Sequence, residues 1–401
     1  MAQPIRKTIQ DTHPDLIKEP DEYTLIVDGN SLLFSCFADT KMNSDGVHYG
    51  AVFQFLLQLR MQFMKKDFDY VYVFFDNEFS GWLRWNLYKP YKGNRDKHYE
   101  DYAVSDYMKQ CNANIRAMQT YLFNKQKKKR EEEGKPVIAR KKNATEEFID
   151  ANFDRERDIL CRYFNELYIR WYIDEVVEGD DLIAYYCKNK KPNEKIVIVT
   201  GDMDLSQLLA DDICIYDLKQ KKYITKWNYP SYYGIVHENI MVKKVFCGDV
   251  SDNISNINGL SEAKFFEIMP EVRQRKVTIE EVKDRVKNLI DERIKNKKKP
   301  YKVYENILNG VANKEYDGDF YEINKKIIDL SEPLLTDEAK EEMDAMRYAP
   351  MDPEDRSFSN LYKLINEDKI EEIMGETKFA AFFNIFKRLE AKELKRYKEN
   401  C

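Results

Sequence analysis

Histidine and cysteine are scarce in this chain of 401 residues. The four histidines (His13, His48, His98 and His237) are not paired at metal-ligand spacing, and the seven cysteines include no C-x-x-C pair. We therefore expect no zinc site. An odd number of cysteines without such pairs also indicates reduced thiols rather than a disulfide framework, as in a cytosolic protein.

Long apolar runs are also absent. The first 22 residues are polar and do not resemble a secretory leader, and no stretch approaches the length of a membrane span. No internal repeat or low-complexity linker is present. We expect a cytoplasmic protein with one large or two ordinary domains and no membrane contact.

Positive charge is slightly outnumbered overall but locally concentrated. The 71 acidic residues outnumber the 65 Lys and Arg, and the net charge of −6 argues against a nucleic-acid-binding protein. Between residues 125 and 142, however, nine basic residues face three acids. Such a run is either a solvated face or a contact for phosphates, and its composition leaves both readings open.

Three apolar runs each lead into an aspartate. Runs of β-branched and aromatic residues precede Asp28, Asp76 and Asp202. Such runs are typical of buried strands in a parallel sheet, whose carboxyl ends meet at one edge. Three acids at that edge would repel one another and raise their own pKa values unless a cation compensated them. A single aspartate after a strand is usually a cap or a turn, but three together predict a divalent metal site.

Further acids occur in clusters along the chain. Glu178-Gly179-Asp180-Asp181 precedes an apolar run, and a helix N-terminus would account for one of its carboxylates but not for three. Hard oxygen ligands without nearby His or Cys select Mg²⁺ or Mn²⁺ over zinc. Two more clusters offer such ligands. Asp202 and Asp204 lie on a loop beyond a predicted strand, and Asp249 and Asp252 are three residues apart, a helical spacing.

In their order along the chain, these segments resemble the motifs of the 5′ nuclease family, which includes flap endonucleases, the 5′-nuclease domain of bacterial DNA polymerase I and phage enzymes. In its residue pattern after Asp76 and in the Tyr- and Lys-rich stretch after Arg84, the sequence is similar to the RNase H (5′-3′ exonuclease) group of T-even-like bacteriophages. The matching motifs are Val27-Asp28-Gly29-Asn30, Phe75-Asp76 with Arg84 and Tyr91-Lys92-Gly93-Asn94-Arg95, Glu178-Gly179-Asp180-Asp181, Gly201-Asp202-Met203-Asp204-Leu205-Ser206-Gln207-Leu208, and Gly248-Asp249-Val250-Ser251-Asp252-Asn253-Ile254.

The resemblance implies an α/β fold: a mostly parallel central sheet flanked by helices (a PIN-like 5′ nuclease core), a helical arch, and a mainly helical C-terminal region containing a helix–three-turn–helix element. We divide the chain into a polar extension (1–22), an α/β nuclease domain (23–230, arch about 96–150) and a helical DNA-binding and C-terminal region (231–401).

The local patterns place the elements within this frame. The predicted strands are Tyr23–Val27, Tyr70–Phe75, Tyr168–Val176, Lys195–Thr200, Ile213–Tyr216 and Lys222–Trp227. The predicted helices are Val52–Lys66, Ser105–Lys125, Ala151–Leu167, Leu182–Lys188, Leu205–Ala210, a charged stretch at Lys276–Lys299 and a terminal helix around Glu376–Lys398. The terminal helix carries a stripe of apolar side chains that we expect to pack in the core or, alternatively, to form a surface for a partner protein: Phe379, Phe382, Phe383, Ile385 and Phe386.

The resemblance also implies the site. Lys92 and Arg95 would grip the scissile phosphate, with assistance from Arg84, and a terminal base would stack on Tyr88 or Tyr91. Two Mg²⁺ (or Mn²⁺) ions would be held by the acids Asp28, Asp76, Glu178, Asp180, Asp181, Asp202, Asp204, Asp249 and Asp252. Further nucleic-acid contacts would come from Asn253 and Lys264 on the duplex, and in the arch from Lys127, Lys128, Lys129 and Arg130.

The implied activity is that of a structure-specific 5′ nuclease, a 5′-3′ exonuclease and flap endonuclease in phage-type DNA replication or repair. Its substrates would be DNA with 5′ flaps, nicks or 5′ ends, and RNA–DNA hybrids. We expect a monomer that contacts a single-strand-binding protein or the replisome.

Two other classes stay open. A PIN-type ribonuclease shares the acidic core but would be much shorter and would lack the Gly248–Ile254 motif and the basic run. A non-catalytic nucleic-acid-binding accessory protein of replication would have no need of every carboxylate.

Overall fold

A six-stranded sheet forms the centre of the protein in the computed structural model, which describes residues 21–94, 144–354, 356–374 and 379–400. Its strands are β1 (Glu22–Asp28), β2 (Tyr70–Phe75), β3 (Arg170–Ile173), β4 (Glu194–Thr200), β5 (Ile213–Asp217) and β6 (Lys222–Ile224). The order across the sheet is β3-β2-β1-β4-β5-β6, with β1 to β5 parallel and β6 antiparallel to β5. The predicted mostly parallel α/β fold is confirmed.

Helices surround the sheet and make up the region after residue 228. None of the described helices combines the length and apolar character needed to cross a membrane. Short 3-10 turns at Met203–Leu208, His237–Asn239, Pro270–Arg273, Ile370–Glu372 and Asn384–Phe386 connect some of them. The described α-helices are α1 (Gly29–Cys36), α2 (Gly50–Lys65), α3 (Trp82–Leu87), α4 (Ala144–Glu166), α5 (Gly179–Lys188), α6 (Tyr229–Tyr233), α7 (Ile240–Cys247), α8 (Glu262–Ile268), α9 (Ile279–Lys295), α10 (Lys302–Asn309), α11 (Phe320–Ile328), α12 (Asp337–Met346), α13 (Phe358–Glu367), α14 (Phe379–Phe383) and α15 (Lys387–Asn400).

The central strands are buried on both faces, as expected for a parallel sheet covered by helices on each side. Every residue of β2 is buried. Alternate residues of β1 enter different cores: Leu25 and Val27 pack with α1, α2 and α4, whereas Ile26 packs with α5 and α7 to α12. The sheet therefore separates two helical layers, and its carboxyl edge is left between them for a site.

The C-terminal segment returns to the first of these layers. Phe382 packs against Phe53 with ring centroids 5.7 Å apart, and Phe386 packs against Phe63 at 5.1 Å. The predicted core packing of the terminal aromatic stripe is thus confirmed for Phe382, Phe383 and Phe386, all of which are buried. Both cores contain residues from each side of residue 230, so the C-terminal region packs directly on the α/β layers.

Strand β3 is shorter than the predicted Tyr168–Val176. It ends at Ile173 because Asp174 Oδ1 accepts the backbone N–H groups of Val176 (2.8 Å) and Val177 (2.7 Å). A carboxylate that binds the N–H groups two and three residues ahead forms a turn in place of a strand. This turn delivers the chain to the start of α5.

Other predicted elements also differ at their ends. Strand β6 stops at Ile224 rather than Trp227, because the Thr225 N–H is donated to Asn228 Oδ1 (2.8 Å) in a turn. The predicted helix Leu205–Ala210 is a 3-10 helix that begins earlier. The predicted helix Ser105–Lys125, the polar extension and most of the arch lie outside the described residues.

Candidate functional site

A cavity of about 780 Å³ lies at the carboxyl edge of the sheet. The parallel topology brings together the acids that follow β1, β2 and β4, as the strand-end argument predicted. Asp181 is not among the lining residues. Eight of the nine predicted metal-binding acids line the cavity: Asp28, Asp76, Glu178, Asp180, Asp202, Asp204, Asp249 and Asp252.

Four of these carboxylates form the first acid cluster: Asp28, Asp76, Asp180 and Asp202. Asp28 ends β1 and caps α1, since its Oδ1 accepts the Ser31 N–H (3.0 Å) while its Oδ2 accepts the Thr200 hydroxyl (2.7 Å). Asp76 follows β2, and its Oδ1 accepts the Gly179 N–H (2.6 Å) at the start of α5. Backbone groups of two helices and a hydroxyl of a third element therefore fix the cluster in place.

Burial first, and then mutual repulsion, raise the pKa values of two acids in the first acid cluster. Burial raises the pKa of Asp28 to about 7, with a further contribution from Asp76 and Asp202, although hydrogen bonds from Thr200 and Ser31 oppose the shift. Burial also raises the pKa of Asp180 well above its usual range, and the charges of the other three acids add to the shift. By surface exposure Asp28, Asp76 and Asp180 are half-buried and Asp202 is exposed, so the cluster is open to the cavity. Carboxylates that repel one another in this way favour a bound cation.

Asp204, Asp249 and Asp252 form the second acid cluster, in which one carboxylate oxygen of each lies within 4.8 Å of the others. Asp202 caps the 3-10 helix that carries Asp204, because its Oδ1 accepts the Asp204 N–H (2.8 Å). The Asp-x-Asp spacing after β4 thus places one carboxylate in each cluster.

Asp249 and Asp252 do not lie on a helix, although their spacing suggested one. Asp249 and Ile254 exchange backbone hydrogen bonds of 3.0 and 2.8 Å, which closes a tight loop. Asp249 Oδ1 accepts the Ser251 N–H (2.7 Å), and Asn253 has a left-handed backbone with a φ of 60°. The loop aims both carboxylates into the cavity by turn geometry rather than by helical periodicity.

Lys244 is a site residue that sequence reasoning missed. It lies on α7, and its ammonium contacts both Asp204 and Asp249. Burial would raise the pKa of Asp249, but the Lys244 charge holds it at about 2. Burial and Asp202 still raise the pKa of Asp204 to about 6 despite the same lysine. Lys244 is one of two adjacent lysines in the mostly apolar helix α7, and nothing in the sequence distinguishes it from Lys243. Its position one helical turn before the Gly248–Ile254 motif is the only available signal.

Arg84 lines the cavity but is buried and paired inside the protein, an arrangement that does not favour its predicted contact with the scissile phosphate. Its guanidinium pairs with Glu178 (2.5 Å) and forks onto both oxygens of Asp181, one of them at 3.0 Å. The Arg84 Nε donates to the Ile327 carbonyl (2.8 Å). Asp181 is therefore the counter-ion of Arg84, and it also accepts the Leu334 N–H (2.9 Å). This geometry does not favour its predicted role as a metal ligand.

Glu178 lines the cavity but already has three partners. It accepts hydrogen bonds from the Lys92 ammonium, the Tyr91 hydroxyl (2.9 Å) and Arg84. Burial alone would raise the pKa of Glu178, but the charges of Lys92 and Arg84 hold it below its ordinary value. Unlike the acids of the first cluster, Glu178 is paired with cations of the protein itself, and in this arrangement it anchors Lys92 at the cavity wall.

The positions of Tyr88 and Tyr91 do not favour the predicted stacking on a terminal base, although Tyr91 lines the cavity. Both tyrosines are buried, with 3% and 2% of their surface exposed. The Tyr88 ring stacks on Tyr316 with centroids 4.6 Å apart, and the Tyr91 hydroxyl is used by Glu178. Neither ring presents a face to a nucleic acid base.

Asn253 likewise serves the protein's own architecture. Its side-chain amide donates to the Pro90 carbonyl (2.6 Å), while the Lys92 N–H donates to the Asp252 carbonyl (2.9 Å). Asn94 adds a hydrogen bond to the Val250 carbonyl (3.1 Å). These bonds tie the segment that carries Lys92 to the loop that carries half of the second acid cluster, with Lys92 in a left-handed conformation (φ of 49°).

The remaining predicted contacts lie farther from the cavity or outside the described residues. Lys264 is on α8 at the surface, where it pairs with Glu267 (2.6 Å). Arg95 and the basic residues Lys127, Lys128, Lys129 and Arg130 lie outside the described residues.

Comparison with known proteins agrees with this arrangement. A profile of the family described as "5'-3' exonuclease, N-terminal resolvase-like domain" matches residues 23–129 and 119–234, which together span more than half of the chain. DNA polymerase I of Bacillus subtilis (strain 168) is 22% identical over 285 residues, 69% of this chain and 26% of the polymerase. The 5'-3' exonuclease of the same organism is 30% identical over 98 residues, 23% of this chain and 33% of that protein. The chain thus spans about a quarter to a third of the length of these relatives.

Two solved structures share the fold. The bacteriophage T5 5'-exonuclease with bound zinc superimposes with a TM-score of 0.50 at 16% identity, covering 87% of this chain and 98% of that chain. The bacteriophage T5 flap endonuclease in a pseudo-enzyme–product complex with DNA and metal ions gives a TM-score of 0.51 at 16% identity, covering 88% and 100%. These two structures show the shared fold, and the profile match over more than half of the chain shows that the chain belongs to the 5′-3′ exonuclease family.

Proposed function

We propose that this protein is a divalent-metal-dependent, structure-specific 5′ nuclease that hydrolyses phosphodiester bonds in DNA. The observation that carries the proposal is the pair of acid clusters in one cavity, linked by Asp202 and Asp204, with the Lys92 ammonium at the wall. All side-chain donors of both clusters are carboxylate oxygens, which suit Mg²⁺ or Mn²⁺. Membership of the 5′-3′ exonuclease family supports the same activity.

The two clusters fit two ions, one in each. When bound, such ions activate a water molecule and neutralise the leaving oxygen. The chain's own residues fix the geometry: Thr200 and the backbone of Ser31 hold the Asp28 carboxylate, and Gly179 holds Asp76. Lys92, anchored by Glu178, places a positive charge where negative charge develops on the phosphate.

The substrates we propose are DNA with 5′ flaps, nicks or 5′ ends, and RNA–DNA hybrids. Contacts to phosphates position a duplex without reading its bases, so cleavage should follow structure rather than sequence. The bacteriophage T5 flap endonuclease, which shares the fold, is seen in complex with DNA. A monomeric enzyme of the T-even RNase H type, working beside a single-strand-binding protein in replication, remains our prediction.

One assay separates this proposal from its alternatives. Cleavage of a 5′-flap DNA and of a single-stranded RNA is measured in Mg²⁺, in Mn²⁺ and in EDTA. The proposal predicts metal-dependent cutting of the flap and little cutting of the RNA. Preferential cutting of the RNA would indicate a PIN-type ribonuclease, and binding of the flap without cleavage would indicate an accessory protein.

Lys92 gives a test of the chemical step. We expect Lys92→Ala to lower the single-turnover cleavage rate by about 10²–10³-fold, the cost of removing one preorganised donor from a developing charge, while affinity for flap DNA changes little. Lys89→Ala is the matched control, because Lys89 is three positions away and exposed, and its ammonium donates to Asn86 (3.1 Å) and lies over the Trp85 ring (3.4 Å). Equal losses of rate and affinity in Lys92→Ala would make Lys92 an ordinary backbone contact.

The basic run gives a test of substrate handling. Neutralising Lys127, Lys128, Lys129 and Arg130 should weaken binding of a long-flap DNA more than that of a nicked duplex, which offers little single strand. The slope of log affinity against log salt should fall by about 0.7 for each lost single-strand phosphate contact. The Mg²⁺ requirement on the nick should persist. Equal losses on both substrates with an unchanged slope would identify the run as a solvated face.

A further inference from the structure

Lys244 occupies a position that a divalent ion would need. Its ammonium contacts the Oδ2 atoms of both Asp204 and Asp249. These two acids and Asp252 form the second acid cluster, with ligand oxygens within 4.8 Å of one another. An ammonium and a divalent ion against the same carboxylate oxygens repel each other at contact distance, so the presence of one disfavours binding of the other.

The lysine is held firmly enough to compete. Only 15% of its side chain is exposed, against 28% and 11% for Asp204 and Asp249. The other oxygen of Asp249 accepts the Ser251 N–H (2.7 Å) and hydroxyl (2.6 Å), which fixes the carboxylate facing Lys244. By contrast, no comparable cation is described for the first acid cluster, whose partners in the described part of the chain are backbone N–H groups and the Thr200 hydroxyl.

We propose that Lys244 is a built-in cation that occupies the second acid cluster when no metal is bound and must be displaced before the second divalent ion enters. This rests on the proposed metal-dependent function and deepens it. The two ion sites are then unequal: ions fill the first acid cluster readily, whereas the second requires a higher metal concentration or an arriving phosphate that takes up the released ammonium. Lys244 is thus a positioning residue that makes loading of the second ion depend on substrate.

The test is Mn²⁺ binding to the metal-free full chain without DNA, measured by titration calorimetry and by the electron paramagnetic resonance of free Mn²⁺. We expect two binding classes in the natural protein, and in Lys244→Met a weaker class tightened by about tenfold or more, as removal of a unit charge at contact distance warrants. Lys244→Arg keeps the charge and should leave the weaker class weak. Lys243→Met is the control, because its side chain lies on the same helix and faces Glu262 at 3.4 Å.

The outcomes separate the proposals. Tightening in Lys244→Met that disappears when Asp249→Asn is added locates the effect in the second acid cluster and supports the inference. An unchanged or weakened second class in a Lys244→Met protein with an intact thermal transition overturns it, while two bound ions leave the proposed function standing. Failure of every protein to bind Mn²⁺ would overturn the metal centre and this inference together. If Lys244→Met does not fold, Lys244→Gln is titrated in its place and judged by the same result.

Discussion

Asp180→Asn is expected to lower the single-turnover cleavage rate of a 5′-flap DNA by at least about 10³-fold. A catalytic divalent ion contributes several kcal/mol to the transition state, and each 1.36 kcal/mol is a factor of ten in rate. Burial and the charges of four neighbouring acids (Asp202, Asp28, Asp76 and Glu178) together raise the pKa of Asp180. An amide of the same size removes the ligand charge and leaves the phosphate contacts in place, so affinity for the flap should change little.

The same substitution should not destabilise the metal-free protein. A buried carboxylate repelled by its neighbours destabilises the folded state, so a neutral amide should leave the free energy of unfolding unchanged or higher. Asp211→Asn is the matched control, because that side chain is 76% exposed and paired with Lys226 at the surface. Near-normal turnover by Asp180→Asn would contradict the assignment of the first acid cluster.

Arg84→Met is expected to lower the free energy of unfolding by about 3–5 kcal/mol, the cost of removing one partner from a buried ion pair. Glu178 and Asp181 would both lose their shared counter-ion, and the Ile327 carbonyl would lose its donor. Urea unfolding of the metal-free protein, followed by circular dichroism, measures the change.

A surface arginine provides the comparison. Arg275 pairs with Glu281 at 2.8 Å but is 52% exposed, so Arg275→Met should cost no more than about 1 kcal/mol. Adding Asp181→Asn to Arg84→Met should recover part of the loss, since the two residues interact directly and their effects are not additive. If Arg84→Met were as mild as Arg275→Met while flap affinity collapsed, Arg84 would be a phosphate contact after all.

The strands and the first acid cluster could be predicted from the sequence because local rules decide them. Six apolar residues in a row, as in β2, can only be buried on both faces, and a parallel sheet collects the residues after its strands at one edge. Asp28, Asp76 and Asp202 therefore met where expected, without knowledge of any distant contact.

The roles of the cations could not be predicted, because distant contacts decide them. The buried Arg84 donates a hydrogen bond to the carbonyl of Ile327, which is 243 positions away along the chain. Asp181 accepts one from the N–H of Leu334, which is 153 positions away. Lys244 meets Asp204 across 40 positions. In each case a charged residue near an acidic motif was equally compatible with a solvated, substrate-binding or buried position until its tertiary partner was known.

The tyrosines illustrate the same limit. An aromatic side chain beside a basic segment suits base stacking and core packing equally well in sequence terms. The Tyr88 ring stacks on Tyr316 of the helical region, and the Tyr91 hydroxyl donates to the buried Glu178 carboxylate. Neither partner is marked by spacing or composition.

Crystals of the protein soaked in Mn²⁺, with diffraction collected at the manganese absorption edge, show whether the two acid clusters hold two divalent ions. We expect two anomalous peaks: one among Asp28, Asp76, Asp180 and Asp202, and a second at higher Mn²⁺ concentration among Asp204, Asp249 and Asp252. A cavity that stays free of anomalous density, or a single ion held by Glu178 and Asp181, would rule out the proposed two-ion centre.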